Sequence, residues 1–242
     1  YDAIFHLVTA AEGREEFYTL ANNAARLENA EEARDADKRT RSAWVGHPHL
    51  RVIDNSTLFD EKLKRLLNHV RKFLGIPVAI ETERKFALTE PVDLHKIPVP
   101  YQKITIEQFY LKSSAPGSLR LRRRSQDSCG AVYYETIKQP TDSAMSRVET
   151  EYQIDYKEYY RRLADMDMDT RPIHKTRVCF LWQGQYFELD LFHEPDRVRG
   201  LQLLEIELTE ENDKVEIPEW LGKVVEVTGQ KRYSNFNISK AF

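Results

Sequence analysis

The chain contains 242 residues, of which 41% are hydrophobic, and its 36 basic and 39 acidic side chains leave a net charge of −3. This length suits two domains, and an ample apolar fraction with a small net charge excludes a disordered chain. No apolar run approaches the roughly 18 residues that span a membrane. Cys129 and Cys179 are too few for a disulfide framework, which favours a reducing compartment. The composition therefore predicts a soluble cytoplasmic protein.

The first 75 residues have the pattern of an α/β unit. Residues 3–10 form a continuous apolar run of the kind found in buried parallel strands, and residues 49–53 form a second short strand. The segments 15–43 and 60–74 have the composition and spacing of helices. Strands that alternate with helices predict a parallel arrangement. Because the chain begins without methionine and directly in an apolar strand, we expect it to be a fragment of a longer protein.

Beyond Pro77 the pattern changes to short segments in which polar and apolar residues alternate, separated by turn-like stretches such as 113–118 and 139–146. Alternation with a period of two is typical of strands that bury one face. One interruption, at 155–167, has tyrosines at helical spacing and predicts a helix that packs on the strands. This part of the chain predicts an antiparallel sheet, a sandwich or a closed barrel.

Most of these strands carry two charges of the same sign on one face, because side chains alternate between the faces of a strand. The basic pairs include Arg120 with Arg122 and Lys175 with Arg177, and the acidic pairs include Glu81 with Glu83 and Glu205 with Glu207. Any one strand could turn this face to solvent, but like charges side by side repel each other, and a solvated surface would mix the signs. Basic and acidic strands around one space would instead form a cavity in which carboxylates hold Mg²⁺ or Mn²⁺ while Arg and Lys hold phosphate.

The segment 81–85 (ETERK) resembles the ExExK signature of the CYTH, or triphosphate tunnel metalloenzyme, superfamily. The later segments RLRRR, ETIK, RVETEYQI, HKTRV, FELDLF and LLEIELTEE resemble the remaining strands of that superfamily in the same order, across residues 76–242. The resemblance implies an α+β fold in which an eight-stranded antiparallel, tunnel-like β-barrel with flanking helices follows the first unit.

The resemblance also implies which side chains form the site. Those implied to hold phosphates are Lys85, Arg120, Arg122, Lys138, Lys175, Arg177 and Lys231. Those implied to lie on the metal side, with Mg²⁺ or Mn²⁺ as the cofactor, are Glu81, Glu83, Asp190, Glu205 and Glu207. Glu149 and Glu151 alternate on a further acidic strand, and no definite role is assigned to them.

Residues 1–75 resemble the C-terminal part of an AAA-like P-loop NTPase domain through the segments FHLVTAA, NNAAR and WVGHPHLRVIDN. An NTPase unit followed by a CYTH unit resembles the TRP-translocation-defect proteins. That resemblance implies binding of GTP or another phosphate-rich ligand, contact with a phosphoinositide membrane surface, and trafficking with a partner protein that the sequence does not identify. The phosphate-binding loop G-x-x-x-x-G-K-[ST] does not occur in the chain. Basic and acidic residues are interleaved along the chain, so nucleic acid is not expected as a partner.

Two functions of different class remain open from the sequence. The order of the two units favours a nucleotide- and phosphoinositide-binding protein of membrane-protein trafficking. The alternative is a metal-dependent triphosphatase that hydrolyses tripolyphosphate or nucleoside or thiamine triphosphates. In that enzyme Glu81, Glu83, Lys85 and Arg177 would be the catalytic candidates.

Overall fold

The computed structural model describes residues 1–21, 26–74, 82–113, 117–126, 129–140, 147–208 and 213–240. In its first part, strand β1 (Ile4–Leu7), helix α1 (Ala30–Ala43), strand β2 (Leu50–Ile53) and helix α2 (Phe59–Phe73) follow one another. Strands β1 and β2 pair in parallel, which confirms the parallel arrangement predicted from the alternation.

Helix α1 is shorter than the segment 15–43 that was predicted to be helical. It begins where the side chain of Asn29 accepts hydrogen bonds from the backbone N–H groups of Glu31 and Glu32, while the Glu32 carboxylate accepts one from the N–H of Asn29. This reciprocal capping satisfies donors that a helix leaves unpaired at its start. Before it, residues Glu15–Phe17 form a single 3₁₀ turn.

The rest of the chain is built on one nine-stranded antiparallel sheet. The strands are β3 (Thr82–Leu88), β4 (Tyr101–Leu111), β5 (Ser118–Gln126), β6 (Gly130–Pro140), β7 (Arg147–Ile154), β8 (Ile173–Trp182), β9 (Gln185–Glu194), β10 (Gln202–Leu208) and β11 (Val224–Glu226). They are ordered β11-β3-β10-β9-β8-β4-β5-β6-β7. Helix α3 (Tyr156–Arg162) connects β7 to β8, and helix α4 (Asn235–Ser239) follows β11.

The antiparallel sheet agrees with the prediction, but its closure into a barrel does not appear. Across the described ranges, the edge strands β7 and β11 do not pair with each other, and the sheet has nine strands instead of the expected eight. The sheet nevertheless curls. Glu83 on β3 and Lys138 on β6 line the same cavity and interact electrostatically. In a flat sheet six strand-to-strand steps would separate these two strands by roughly 29 Å.

A large apolar cluster lies on the side of the sheet that faces away from this cavity. Phe180 and Phe187 stack there with their ring centroids 5.6 Å apart, and Phe180 also packs against Trp220. In helix α3, Tyr159 is buried and contacts Tyr133 with a centroid separation of 4.7 Å. The predicted packing of this helix on the strands is therefore confirmed. Among the helices that the structure describes, none has both the length and the apolarity needed to cross a bilayer.

Candidate functional site

The charged side of the curled sheet surrounds a cavity of about 1040 Å³. The basic side chains that line it and that were predicted to hold phosphates are Lys85, Arg120, Arg122, Lys138, Arg177 and Lys231. The acidic side chains that line it include Glu83, Glu151, Glu188, Glu205 and Glu207. Except for Lys231, which lies in a 3₁₀ turn after β11, these basic and acidic residues lie on strands, and the period of two brings both signs of charge to one side of the sheet. Glu81 and the side chain of Glu149 lie outside the described residues.

A cationic wall is formed by strand β5. Arg120, Arg122 and Arg124 are all buried on its inner face. Glu151 lies 3.8 Å from both Arg120 and Arg122, and Arg122 donates a long hydrogen bond of 3.4 Å to the amide oxygen of Gln108. Burial, together with the neighbouring Arg120, lowers the pKa of Arg122 to about 10. Clustered guanidinium groups are suited to a polyanion, because each one can bind phosphate oxygens through two parallel hydrogen bonds.

An ion-pair network on strands β8 and β9 supports this wall. Arg177 donates to both oxygens of Asp190, at 2.7 and 2.6 Å, and to Glu205 at 3.0 Å, and it also pairs with Glu188. Lys175, which was predicted to hold phosphate, and Asp190, which was predicted to hold metal, are completely buried and pair with each other at 2.5 Å. The structure therefore places these two side chains behind the cavity surface, where Asp190 pairs with both Lys175 and Arg177.

The buried positions of this pair change both pKa values. Burial lowers the pKa of Lys175 to about 8, against the attraction of Asp190. Burial alone would raise the pKa of Asp190, but Arg177 and Lys175 outweigh it and lower that pKa. Asp190 is therefore ionised at neutral pH and keeps the guanidinium of Arg177 in a fixed orientation.

The acidic wall consists of strands β3 and β10. Their register places Glu207 opposite Glu83, and Glu205 opposite Lys85. The ammonium of Lys85 lies 2.7 Å from Glu205 and 3.2 Å from Glu83. Burial and the charge of Glu205 raise the pKa of Glu83. Burial alone would also raise the pKa of Glu205, but Lys85 and Arg177 lower it well below its usual range.

Arg84 lies between Glu83 and Lys85 in the sequence, so alternation along the strand predicts that it points away from the cavity. It pairs on the other face of the sheet with Glu226, through hydrogen bonds of 2.9 and 2.7 Å from Nε and Nη2. The outward orientation is thus confirmed, and the Arg84–Glu226 pair gives a matched reference for charge pairs inside the cavity.

The donor chemistry of the acidic wall fits a divalent cation. Carboxylate oxygens are the ligands that Mg²⁺ and Mn²⁺ prefer, and Glu83 and Glu207 stand directly opposite each other, where two like charges repel without a cation between them. Within the described ranges, however, no three acidic, His or Cys side chains converge on one point. Glu81, another metal ligand that the resemblance implies, lies outside those ranges.

Side chains that line the cavity but were not among the predicted site residues include His49, Arg51, Arg124 and Glu188. Arg124 and Glu188 continue the alternation of Arg122 and Asp190, which places them on the charged faces of their strands. Arg51 lies on β2 and His49 directly precedes that strand, outside the large sheet, and no local sequence signal connects them to it. The imidazole of His49 lies 3.9 Å from Glu151, and burial lowers its pKa to about 4, so it is neutral at pH 7.

Comparisons with known proteins find similar proteins that are described as triphosphatases. No protein-family model matches the chain. An inorganic triphosphatase of Acetivibrio thermocellus is 36% identical over 107 residues, which are 44% of this chain and 65% of that relative. The chain thus spans just under two thirds of the curated relative.

Two solved structures are also similar. One is a crystal structure of an inorganic triphosphatase, with 29% identity, a TM-score of 0.46, and coverage of 68% of this chain and 97% of that one. The other is a Hippeastrum protein described as a putative adenylyl cyclase with a dominant triphosphatase activity, with 16% identity, a TM-score of 0.38, and coverage of 54% and 80%. Because both TM-scores are below 0.5, the description of the fold rests on the strand pairing itself.

The sequence match supports the predicted relationship to the triphosphate tunnel proteins. It gives no support to a P-loop NTPase unit in front of the sheet, to GTP or phosphoinositide binding, or to trafficking.

Proposed function

We propose that this protein is a metal-dependent triphosphatase that hydrolyses inorganic tripolyphosphate. The observation that carries the proposal is the cavity itself, in which the buried arginines of β5 face the carboxylates of β3 and β10. A cationic wall opposite an acidic wall is suited to a phosphate chain bound with a divalent cation. The similarity to an inorganic triphosphatase supports the same substrate class.

In this proposal each wall has a separate task. Arg120 and Arg122 bind the phosphate chain and stabilise the charge that develops on the transferred phosphoryl group. Glu83 and Glu207 are the carboxylates to which Mg²⁺ or Mn²⁺ would bind, and when bound the cation supplies neutralisation and polarisation of the terminal phosphoryl group. Water adds to the terminal phosphorus as the bridging P–O bond breaks, which gives orthophosphate and pyrophosphate and releases the water's proton to solvent.

Arg177 has a different task from the one that the sequence suggested. Its three guanidinium nitrogens all donate to carboxylates, so they are occupied before any substrate arrives. In this proposal Arg177 positions Glu205, and Lys85 keeps Glu205 ionised from the other side. Removal of Arg177 should therefore disturb the acidic wall as well as lower turnover.

The test is phosphate release from tripolyphosphate by the wild-type protein with Mg²⁺ or Mn²⁺, beside reactions with GTP, thiamine triphosphate and pyrophosphate. We expect release from tripolyphosphate that is lost on addition of EDTA. Binding to phosphoinositide vesicles without any phosphate release would contradict the proposal and favour the binding function.

A further inference from the structure

Strand β2 contributes the positively charged side chain of Arg51 to the acidic side of the cavity. The guanidinium of Arg51 contacts both carboxylate oxygens of Glu207, with Nε 2.9 Å from Oε2 and Nη2 3.2 Å from Oε1. Its third nitrogen, Nη1, donates to the backbone oxygen of Leu50 at 2.8 Å. All three nitrogens of Arg51 therefore have acceptors within 3.2 Å. This geometry holds the side chain in one orientation, which is typical of forked Arg–carboxylate pairs.

Arg51 binds the carboxylate of Glu207, which the proposed reaction needs as a metal ligand. Glu207 stands opposite Glu83 in the register of β3 and β10, where the two carboxylates would attract a divalent cation. Arg51 is only 20% exposed, so water screens its charge weakly. A metal ion at Glu207 would meet this fixed positive charge within a few ångströms.

Resting on the proposed function, we propose that Arg51 competes with the divalent cation for Glu207 and so sets the metal affinity of the cavity. Metal binding requires that the fork on Glu207 opens, and the contact between β2 and β10 weakens as it does. Arg51 is thereby a positioning residue of the site, since it acts on the metal through Glu207 and does not touch the substrate.

The experiment is a calorimetric titration of Mn²⁺ alone, without substrate, into the wild-type protein, Arg51→Gln and Arg84→Gln. We expect Arg51→Gln to bind Mn²⁺ at least about fivefold more tightly, the lower end of typical coupling between two ligands. Arg84→Gln removes the same charge and an equivalent fork to Glu226, but on the other face of the sheet, and should leave the affinity unchanged.

A double-mutant cycle tests whether Arg51 acts through Glu207. In a Glu207→Gln background, Arg51→Gln should give no further gain in Mn²⁺ affinity. An equal gain in both backgrounds would show a general effect of charge and would overturn the proposal, as would unchanged, weaker or undetectable Mn²⁺ binding by Arg51→Gln. Circular dichroism checks folding. If Arg51→Gln does not fold, Arg51→Lys replaces it. We then expect a smaller gain in Mn²⁺ affinity, and the absence of any gain would overturn the proposal.

The two proposals fail in different ways. Lack of tripolyphosphate hydrolysis by the wild-type protein would refute the proposed function, while the Mn²⁺ titration would still decide the role of Arg51. Normal hydrolysis with no change of Mn²⁺ affinity in Arg51→Gln would refute only the role of Arg51.

Discussion

Arg122 and Arg123 are neighbours on β5 with opposite environments, which makes them a matched pair for mutation. Arg122 is 9% exposed inside the cavity, whereas Arg123 lies on the other face and contacts Glu107 at 3.3 Å. We consider the substitutions Arg122→Met and Arg123→Met, because methionine keeps much of the length of the side chain and loses only its charge and hydrogen bonds.

The expected effects of Arg122→Met on stability and on binding have opposite signs. Its pKa of about 10, in place of 12.5, means that the folded protein holds this charge at a cost of about 3 kcal/mol at pH 7. Since the pKa of the folded state is the lower one, this cost is present in full below pH 10 and disappears as the pH rises towards 12.5. Arg122→Met removes it, and the lost contacts to Glu151 and Gln108 offset part of the gain.

The free energy of unfolding of Arg122→Met should therefore be equal to that of the wild type or up to about 3 kcal/mol higher. Its affinity for tripolyphosphate should fall by about 2–5 kcal/mol, the range found for loss of one side of a desolvated charge pair. Arg123→Met should change either quantity by at most about 1 kcal/mol, because its ion pair is partly exposed.

Urea unfolding measures the first quantity, and calorimetric titration of tripolyphosphate measures the second. Equal losses of affinity in Arg122→Met and Arg123→Met would refute the inference that alternation along β5 defines the cavity. A marked loss of stability in Arg122→Met with unchanged affinity would show that Arg122 stabilises the fold and does not bind the ligand.

Three further predictions concern the acidic wall and the buried pair behind it. Glu207→Gln should lower Mn²⁺-dependent hydrolysis of tripolyphosphate, measured as phosphate release, while its metal-free affinity for tripolyphosphate, measured by calorimetric titration, stays the same. Equal loss of hydrolysis and of metal-free affinity would contradict this. Asp190→Asn leaves Lys175 and Arg177 buried without their shared counter-charge, and urea unfolding should show a loss of about 3–5 kcal/mol. Because burial lowers the pKa of Lys175 to about 8 from 10.5, the unfolded chain binds more protons between these values, and stability should rise with pH there. The melting temperature of the wild type relative to Lys175→Met should rise from pH 8 to pH 10, and a constant difference would argue against the shift.

Periodicity along each strand was enough to predict which side chains share a face of that strand. Alternation separated Arg122 from Arg123, and Glu83 and Lys85 from Arg84, and the structure places the members of each set on opposite sides of the sheet. This inference is reliable because the direction of a side chain along a strand is a local property of the backbone with a period of two. The start of α1 was less predictable, because residues of helical composition also precede the Asn29 cap at which the helix begins in the structure.

Same-face position did not determine depth. Lys175 and Arg177 lie two residues apart on β8, yet Arg177 reaches the cavity and Lys175 is completely buried. A register shift between His174 and Lys175 interrupts the pairing of β8 with β9 at this point. Such an irregularity bends the strand and redirects a side chain, and it depends on the partner strand as much as on the residues themselves.

Which side chains face each other across the cavity depends on packing between distant segments of the chain. The curl of the sheet brings β3 near β6, and the docking of β2 brings Arg51 to Glu207, which is 156 residues away in the chain. Neither event leaves a local pattern in the sequence, because each depends on how whole elements pack their apolar faces after the strands have formed. The residues that could hold phosphates and metal follow from strand periodicity and resemblance. The contact of Arg51 with Glu207 on the acidic wall follows instead from packing between distant segments.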